Sequence, residues 1–275
     1  MPGPSSVTQR GKTEPFDLQV ARGDIAFHQT VAIFGYSAGI GDTSTPQTIW
    51  EGANNATQNN YVYPSSAVQM TLVSSSASDT GIVFVGGLDK NFNILFEYIA
   101  LNGTANVTTV NSYFRINTLY YTNGVNVGTV TAKNSGTTYG YINPSVGQSQ
   151  MAVYTVPNGY TFYEAYLQAN STLASQAVLF QEQRIYNLPT TRNENGYSIT
   201  HNGNTIDYGI SPFSTGFFNI PFTTPFPLTQ GTDLQWQAKT NSGGINGAVS
   251  VFVGGYLIKN AGDGPAQLGQ VQNSL

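Results

Sequence analysis

The amino-acid sequence predicts an all-β protein with two tandem antiparallel β-sandwich domains of a jelly-roll-like kind. Three observations lead to this fold class. Short runs rich in Val, Ile, Phe, Tyr and Thr alternate with polar residues or are fully apolar, as in strands. Clusters of Gly, Asn and Pro separate the runs, and a helical periodicity is hard to find anywhere. The runs divide into eight and then seven, which indicates two sandwiches.

The first eight strands are predicted at Asp17–Ala21, Ile25–Phe34, Thr48–Glu51, Val68–Ser74, Gly81–Val85, Ile94–Leu101, Ser112–Tyr121 and Val125–Ala132. The other seven are predicted at Gln150–Val156, Tyr160–Ala169, Ala177–Tyr186, Thr205–Ile210, Gly216–Pro221, Leu234–Lys239 and Ala248–Lys259. Turn residues support these limits, because Pro157-Asn158-Gly159 and Leu88–Asn91 each separate two apolar runs, as hairpin loops do.

The chain is expected to divide into four parts. An N-terminal arm covers residues 1–16, the sandwiches cover 17–144 and 145–260, and a C-terminal tail covers 261–275. The boundary is placed near Pro144 because the surrounding stretch is rich in Gly, Ser and Asn, as linkers are. The arm region is charged, whereas the tail has neither pattern nor much apolar content.

Composition excludes several classes of function. The 275 residues include no Cys and only two His, so disulfide frameworks, thiolate nucleophiles and histidine or cysteine metal sites are not expected. The net charge of −4 provides no basic field for nucleic acid. No apolar run reaches the length of a membrane span, and the N-terminus lacks the apolar core of a signal peptide, so we expect synthesis in the cytoplasm. No cofactor is expected.

The low charge favours an assembly component. Charged residues make up 9% of the chain, against about 25% in an average globular domain. Burying amides and hydroxyls against a neighbour costs less than burying charges, so such a surface suits packing against other proteins. A homo-oligomer, either a dimer or a trimer, is expected by closed symmetry, although an ordinary monomer of low charge stays open.

Two motifs near the N-terminus suggest specific functions. Arg22-Gly23-Asp24 is the tripeptide that adhesion receptors recognise, but Gly23 between two strand-like runs favours a simple type II′ turn. Gly35-Tyr36-Ser37-Ala38-Gly39 matches a hydrolase nucleophile elbow, with Asp89 and His201 following in the expected order. The residues after the elbow contain two Gly and a Pro and do not favour the helix that it needs, so we expect no catalytic site and no enzyme.

The acidic and aromatic residues are further candidates for binding sites. The 14 carboxylates are scattered, and alternation places Glu182 and Arg184 on one face of a strand, which favours an ion pair or a solvated edge. Tyrosines in the segments NNYVYPSS and NTLYYTNG could stack on the sugar rings of a host glycan, although such residues are more often core or interface anchors.

Several strand and turn signatures together resemble a known group of proteins. They stand at Val20–Gly23, Phe34–Gly35, Gly87–Asp89, Glu97, Leu101–Thr104, Phe114–Ile116 and Gly147–Gln150. Over roughly residues 16 to 165 the chain resembles structural proteins of tailed phages, especially marine and cyanobacterial ones. None of the signatures is a chemical motif.

The resemblance implies a non-enzymatic virion protein. We expect it to decorate or cement the capsid shell, contacting the major capsid protein through the N-terminal arm, with Arg10, Lys12 and Arg22 as interaction residues. A tail adaptor or fibre component that contacts tail proteins is the first alternative. A module that binds host glycans is the second.

Overall fold

The computed structural model describes residues 14–40, 45–54, 60–172, 178–194, 197–201, 203, 205–213, 216–240 and 247–260. The predicted all-β class is confirmed. The helical elements within these ranges are α1 (Phe16–Ala21) and a short 3-10 helix (Glu51–Asn54). The strands are β1 (His28–Ile40), β2 (Gln47–Thr48), β3 (Val68–Ser74), β4 (Ile82–Leu88), β5 (Ile94–Ala100), β6 (Val107–Tyr113), β7 (Arg115–Tyr121), β8 (Val130–Asn134), β9 (Thr137–Ile142), β10 (Val153–Thr155), β11 (Tyr160–Ser171), β12 (Val178–Tyr186), β13 (Thr190–Glu194), β14 (Tyr197–His201), β15 (Thr205–Phe213), β16 (Gly216–Thr229), β17 (Thr232–Thr240) and β18 (Gly247–Lys259).

An N-terminal core lies between two antiparallel sheets, with strand orders β6-β3-β8-β9 and β5-β4-β7. Side chains alternate along these strands, as the sequence pattern predicts. On β4, Val83 and Val85 are fully buried in this core, whereas Ile82 is exposed on the other face. Trp50 and Tyr113 are the largest side chains buried here.

A C-terminal core lies between two further antiparallel sheets. Their strand orders are β1-β18-β11-β16 and β10-β17-β12-β15, and β2 also pairs with β17. Trp236, Phe162 and Phe180 fill the space between them. The segment 187–204, for which the sequence predicts no strand, contains the hairpin β13-β14.

One stretch of chain contributes to both cores. Met151 and Val153 point into the N-terminal core, while the alternate residues Ala152 and Tyr154 point into the C-terminal core. Ile49 and Trp50 divide between the two cores in the same way. A strand that is apolar on both faces is buried on both sides, so this stretch forms a wall that the two sandwiches share.

Strand β1 does not lie in the sandwich to which the sequence assigns it. The sequence places residues 28–40 in the first sandwich, but β1 pairs along its length with β18 in the sheet of the C-terminal core. Sequence patterns give the spacing of inward-facing residues and contain nothing about a partner more than 200 positions away. The domain boundary near Pro144 stays a prediction.

The strand predicted at Asp17–Ala21 is wrong, because residues Phe16–Ala21 form the helix α1. Six residues are too few to show a helical repeat in the sequence. The helix rests on the outer face of the sheet that contains β1 and β18, where the Phe16 ring contacts His28 and Tyr256 edge to face. The Asp17 carboxylate accepts a hydrogen bond from the Tyr256 hydroxyl.

Strand β16 lies at one edge of its sheet and contains three prolines. Pro221 and Pro227 are paired with residues of β11, and Pro225 lies in an irregular stretch between them. Proline has no N–H to donate to a ladder and is found in strands mainly at sheet edges, where β16 lies.

Candidate interaction surface

The predicted interaction residues belong to the N-terminal region. Arg10 and Lys12 lie outside the described residues. Arg22 follows α1, and its guanidinium forms ion pairs with the carboxylates of Glu14 and Asp24. Its charge is therefore already neutralised within the chain, although the side chain stays partly exposed.

The Arg22-Gly23-Asp24 tripeptide caps the helix C-terminus. The Gly23 N–H donates to the Val20 carbonyl at 2.9 Å, and the Asp24 N–H donates to the Gln19 carbonyl at 2.9 Å, the two bonds of a Schellman motif. Gly23 has φ of 73°, which only glycine adopts without strain. The prediction of a two-residue turn between strands is wrong, since the preceding element is a helix.

Ser37 is not on a nucleophile elbow. Strand β1 continues to Ile40, and the Ser37 side chain is fully buried, with its Oγ accepting a hydrogen bond of 3.4 Å from the Gly39 N–H. The Asp89 carboxylate accepts N–H groups of the β4-β5 turn, and His201 stacks on Tyr186 with ring centroids 4.4 Å apart. The three residues of the supposed triad therefore have separate structural partners.

The most conspicuous surface feature is an apolar patch on the outer face of the sheet β5-β4-β7. We call it the aromatic face, and its members are Ile82, Phe84, Ile94, Phe96, Tyr98 and Tyr120. The inward-facing neighbours of these residues fill the N-terminal core, so alternation directs this set away from it.

The aromatic face is organised around Phe84. Tyr98 and Tyr120 are the direct cross-strand partners of Phe84, and the Tyr120 ring stacks on it with centroids 4.6 Å apart. Phe96 stacks on Phe84 at 5.8 Å. Gly86 makes this packing possible, because a Cβ there would lie 2.7 Å from the Phe84 ring. The neighbouring side chains thus bury Phe84 and are themselves exposed to solvent.

The exposure of these neighbours is high for residues of their type. Tyr98 is 58% exposed, Ile94 50% and Phe96 41%. Electrostatic repulsion from the neighbouring Tyr120 raises the pKa of Tyr98. None of the six residues of the aromatic face is charged. Contiguous exposed apolar surface of this kind marks interaction sites.

The four tyrosines weighed for sugar stacking have different environments. The Tyr61 hydroxyl donates to the Tyr139 carbonyl, and the Tyr63 hydroxyl donates to the Leu234 carbonyl at 2.7 Å. Burial raises the pKa of both groups. Tyr121 packs against the N-terminal core, and its hydroxyl accepts the Gly81 N–H. Only Tyr120 of the four belongs to the aromatic face.

Sequence reasoning missed Phe84, Phe96 and Tyr98. A signal was present, because the segments around them are apolar at successive positions and not at alternate ones. In an antiparallel sheet this pattern indicates that both faces are meant to be covered.

A buried ion pair joins the two sandwiches. The Arg115 guanidinium on β7 binds the Asp233 carboxylate on β17 in a bidentate manner, with N···O distances of 2.8 and 2.9 Å. Asp233 also accepts hydrogen bonds from Thr155 and Asn187. The Arg115 guanidinium lies 3.8 Å from the Phe114 ring centroid. Because the pair is fully satisfied, it fixes the contact between the sheets without a buried orphan charge.

A second charged cluster lies inside the C-terminal core. The Arg184 guanidinium binds the Glu182 carboxylate at 2.5 and 2.9 Å, so the predicted pair on one strand face is present, but it is buried and not solvated. Glu164 on the facing sheet approaches Arg184 to 3.8 Å. Neither oxygen of Glu164 has a close hydrogen-bond partner among the described residues. Burial and then the charge of Glu182 raise the pKa of Glu164 well above its usual range.

The described residues were also compared with the requirements of a metal site and of a membrane-spanning helix, and they meet neither. No group of three or more His, Cys, Asp or Glu side chains that could hold a metal ion is found in this part of the chain. Among the described elements, no helix is long and apolar enough to cross a membrane.

Comparisons with known proteins give little similarity. No protein-family model matches the chain, and no curated protein matches it. Among solved structures, the chain is similar to the structure of infectious bursal disease virus strain Gx, with a TM-score of 0.23 and 11% identity over 86% of this chain and 73% of the other. It is also similar to the VP2 subviral particle of the same virus, with a TM-score of 0.21 and 12% identity over 85% and 77% of the two chains. Scores this low do not establish a shared fold.

Proposed function

We propose that this chain is a non-enzymatic structural protein of a tailed-phage particle that decorates and cements the head shell. The observation that carries the proposal is the aromatic face, an exposed and uncharged patch on the sheet β5-β4-β7. A protein that functions alone in solution gains nothing from exposing such a patch, whereas a component of an assembly covers it.

The overall composition supports the same role. Only 9% of the residues are charged, and two of the charged clusters in the described part of the chain, Arg115–Asp233 and Arg184–Glu182, are internal. A surface that depends on amides and hydroxyls for solubility can be buried against neighbours at low cost. The resemblance of the strand and turn signatures to tailed-phage structural proteins favours a phage particle.

The physical effect of such a protein is reinforcement. A protein that binds across junctions between shell subunits binds the assembled state only, and it therefore stabilises that state by mass action. The N-terminal region, with Arg10, Lys12 and Arg22, is our proposed docking segment to the major capsid protein. Arg22 could exchange its internal partners, Glu14 and Asp24, for carboxylates on the shell.

Electron cryomicroscopy of the whole particle tests this proposal. We expect the chain to lie on the outside of the head shell in hundreds of copies, arranged with the symmetry of the shell. A particle from which the protein has been removed should release its DNA at lower temperature than the intact one, as expected for a cement protein. A location at the tail in a dozen or fewer copies would contradict the decoration role and favour the tail adaptor or fibre.

A further inference from the structure

We propose that the aromatic face is the contact through which two copies of this chain associate, face to face about a two-fold axis. The proposal rests on the structural role proposed above and names the partner of one surface. The contact would bring the row formed by Tyr98, Phe84 and Tyr120 on one copy against the same row on the other.

The absence of charge on the aromatic face favours a partner whose contact surface is also uncharged. The six side chains of the aromatic face are uncharged, and so are their neighbours Ala100 and Thr118 on the same outer face. A partner with a charge at this position would bury it without a counter-charge, which is costly. A second copy meets the requirement, because the surface that it presents is the same uncharged face. The net charge of −4 on each copy then lies outside the contact.

Geometry is also compatible with self-association. The face belongs to a three-stranded sheet, and two sheets can pack face to face with interdigitating side chains at a separation of about 10 Å. An isologous contact requires that each residue set be complementary to itself, and an uncharged face of rings and aliphatic side chains meets this requirement. The Tyr98 and Tyr120 hydroxyls belong to this face and can hydrogen-bond to the same pair on the second copy.

The size of the face sets the strength of the contact. The five side chains of the aromatic face other than Phe84 range from partly buried to 58% exposed, so together they offer about 500 Å² per copy. A dimer would bury about 1,000 Å² in total, which is at the lower limit for a specific interface. We therefore expect a dissociation constant of about micromolar order or weaker. A weak contact of this kind becomes effective when neighbouring copies are held on one shell.

Sedimentation equilibrium of the purified full-length chain, from about 10 µM to about 1 mM, tests the proposal. We expect a reversible equilibrium between monomer and dimer. Two variants should shift it by at least tenfold toward monomer, namely Phe96→Asp and Tyr98→Lys, because each places a charge in the contact. The matched control is Val110→Lys, on the exposed part of β6 outside the aromatic face, which should leave the equilibrium unchanged. Circular dichroism should show the same fold for all four proteins, since the replaced side chains are exposed.

Three outcomes would overturn the proposal. The first is a chain that stays monomeric at all concentrations. The second is a dimer that persists in both variants, which would place the contact elsewhere. The third is a monomer that binds neutral oligosaccharides on a glycan array and loses this binding in Tyr98→Lys, which would assign the face to sugars. Dimerisation is measured on the purified chain and the proposed function on the virus particle, so either can fail without the other.

Discussion

Glu164 is the residue with the least ordinary environment in the described part of the chain. Its carboxyl group lies between two sheets, beside a second carboxylate that already has the Arg184 guanidinium as its partner. One cation cannot neutralise two carboxylates, so burial and the charge of Glu182 favour the protonated form of Glu164 and raise its pKa. The stability of the C-terminal core therefore depends on pH.

The sign of this dependence follows from proton binding. In the unfolded chain Glu164 ionises near its ordinary pKa, whereas in the folded chain its pKa is raised. Between these two values the folded state binds more protons, so this residue makes the free energy of unfolding fall as the pH rises. We predict that Glu164→Gln, which cannot ionise, raises the free energy of unfolding by about 1–3 kcal/mol at pH 8. Urea denaturation between pH 5 and pH 8 should show a flatter dependence in the variant than in the parent.

Glu182→Gln provides the control. This change removes the carboxylate bound to Arg184 and should destabilise the protein by about 3 kcal/mol, because a buried guanidinium loses its partner. Glu164 lies 3.8 Å from Arg184 and recovers only part of this loss by ionising. If Glu164→Gln is instead the less stable protein at every pH, with an unchanged slope, Glu164 is ionised in the fold and the inference is wrong.

The sequence predicts two of the three residues of this cluster. Alternation placed Glu182 and Arg184 on one face of one strand, and the structure confirms it. Glu164 could not be added, because it faces them from another sheet and no sequence spacing encodes that contact. The same limit applies to Arg115 and Asp233, which are separated by more than 100 residues.

Strand β1 shows how a sequence motif can have a structural origin. Gly35, the first glycine of the apparent hydrolase motif, faces the C-terminal core where the chain segments around Ile49 and Ala152 approach it. A Cβ at Gly35 would lie 2.6 Å from the Ile49 carbonyl oxygen and 2.7 Å from the Ala152 nitrogen. Both are backbone atoms and cannot swing aside. The glycine is therefore required by close packing of the shared wall, and no catalytic turn is needed to explain it.

We predict that Gly35→Ala destabilises the protein by about 2–4 kcal/mol, since a methyl group cannot be fitted without moving β1 or the wall. Ser37→Ala should cost about 1 kcal/mol or less, because it removes one hydrogen bond of marginal length. Thermal unfolding of both variants checks this order. A nucleophile elbow would instead give the parent protein an esterase activity that Ser37→Ala abolishes.

A helix or strand could be predicted from the sequence when its own residues are numerous enough to show a clear pattern. The apolar runs around β3, β4, β11, β12 and β18 were predicted with small errors at their ends. The helix α1 was missed because Phe16–Ala21 is a single unit of less than two turns, held by its Schellman cap and by contacts of Phe16 with His28 and Tyr256. The aromatic face was missed because a run of apolar residues does not show which of its side chains stay exposed on the outer face.

At the scale of the whole molecule, the shared wall couples the two cores. Residues 151–154 place alternate side chains in each, and the Arg115–Asp233 pair joins β7 to β17. Loss of either core would expose one face of the wall, so neither sandwich is expected to unfold while the other stays intact. The linker-like composition near Pro144 is compatible with joint unfolding of the two sandwiches, because the residues shared by both cores lie in the segment that follows Pro144.

The two tryptophans allow a direct test. Trp50 is buried in the N-terminal core and Trp236 in the C-terminal core, and the chain has no other tryptophan. In Trp50→Phe the remaining fluorescence comes from Trp236 in the C-terminal core, and in Trp236→Phe it comes from Trp50 in the N-terminal core. We predict that in each variant the urea transition followed by fluorescence coincides with the one followed by circular dichroism. Two separated transitions would show independent domains and would support the boundary near Pro144.

The prolines of β16 have a further consequence for crowded surroundings. If copies are concentrated on one shell, as proposed above, they present their sheet rims to one another, and an open rim can pair with an extra strand from a neighbour. Pro221, Pro225 and Pro227 interrupt the hydrogen-bonding potential of this long rim. Neighbouring copies can thus crowd together along this side with little risk of merging into continuous cross-β fibres, so dense coverage remains compatible with a soluble, individually folded coat.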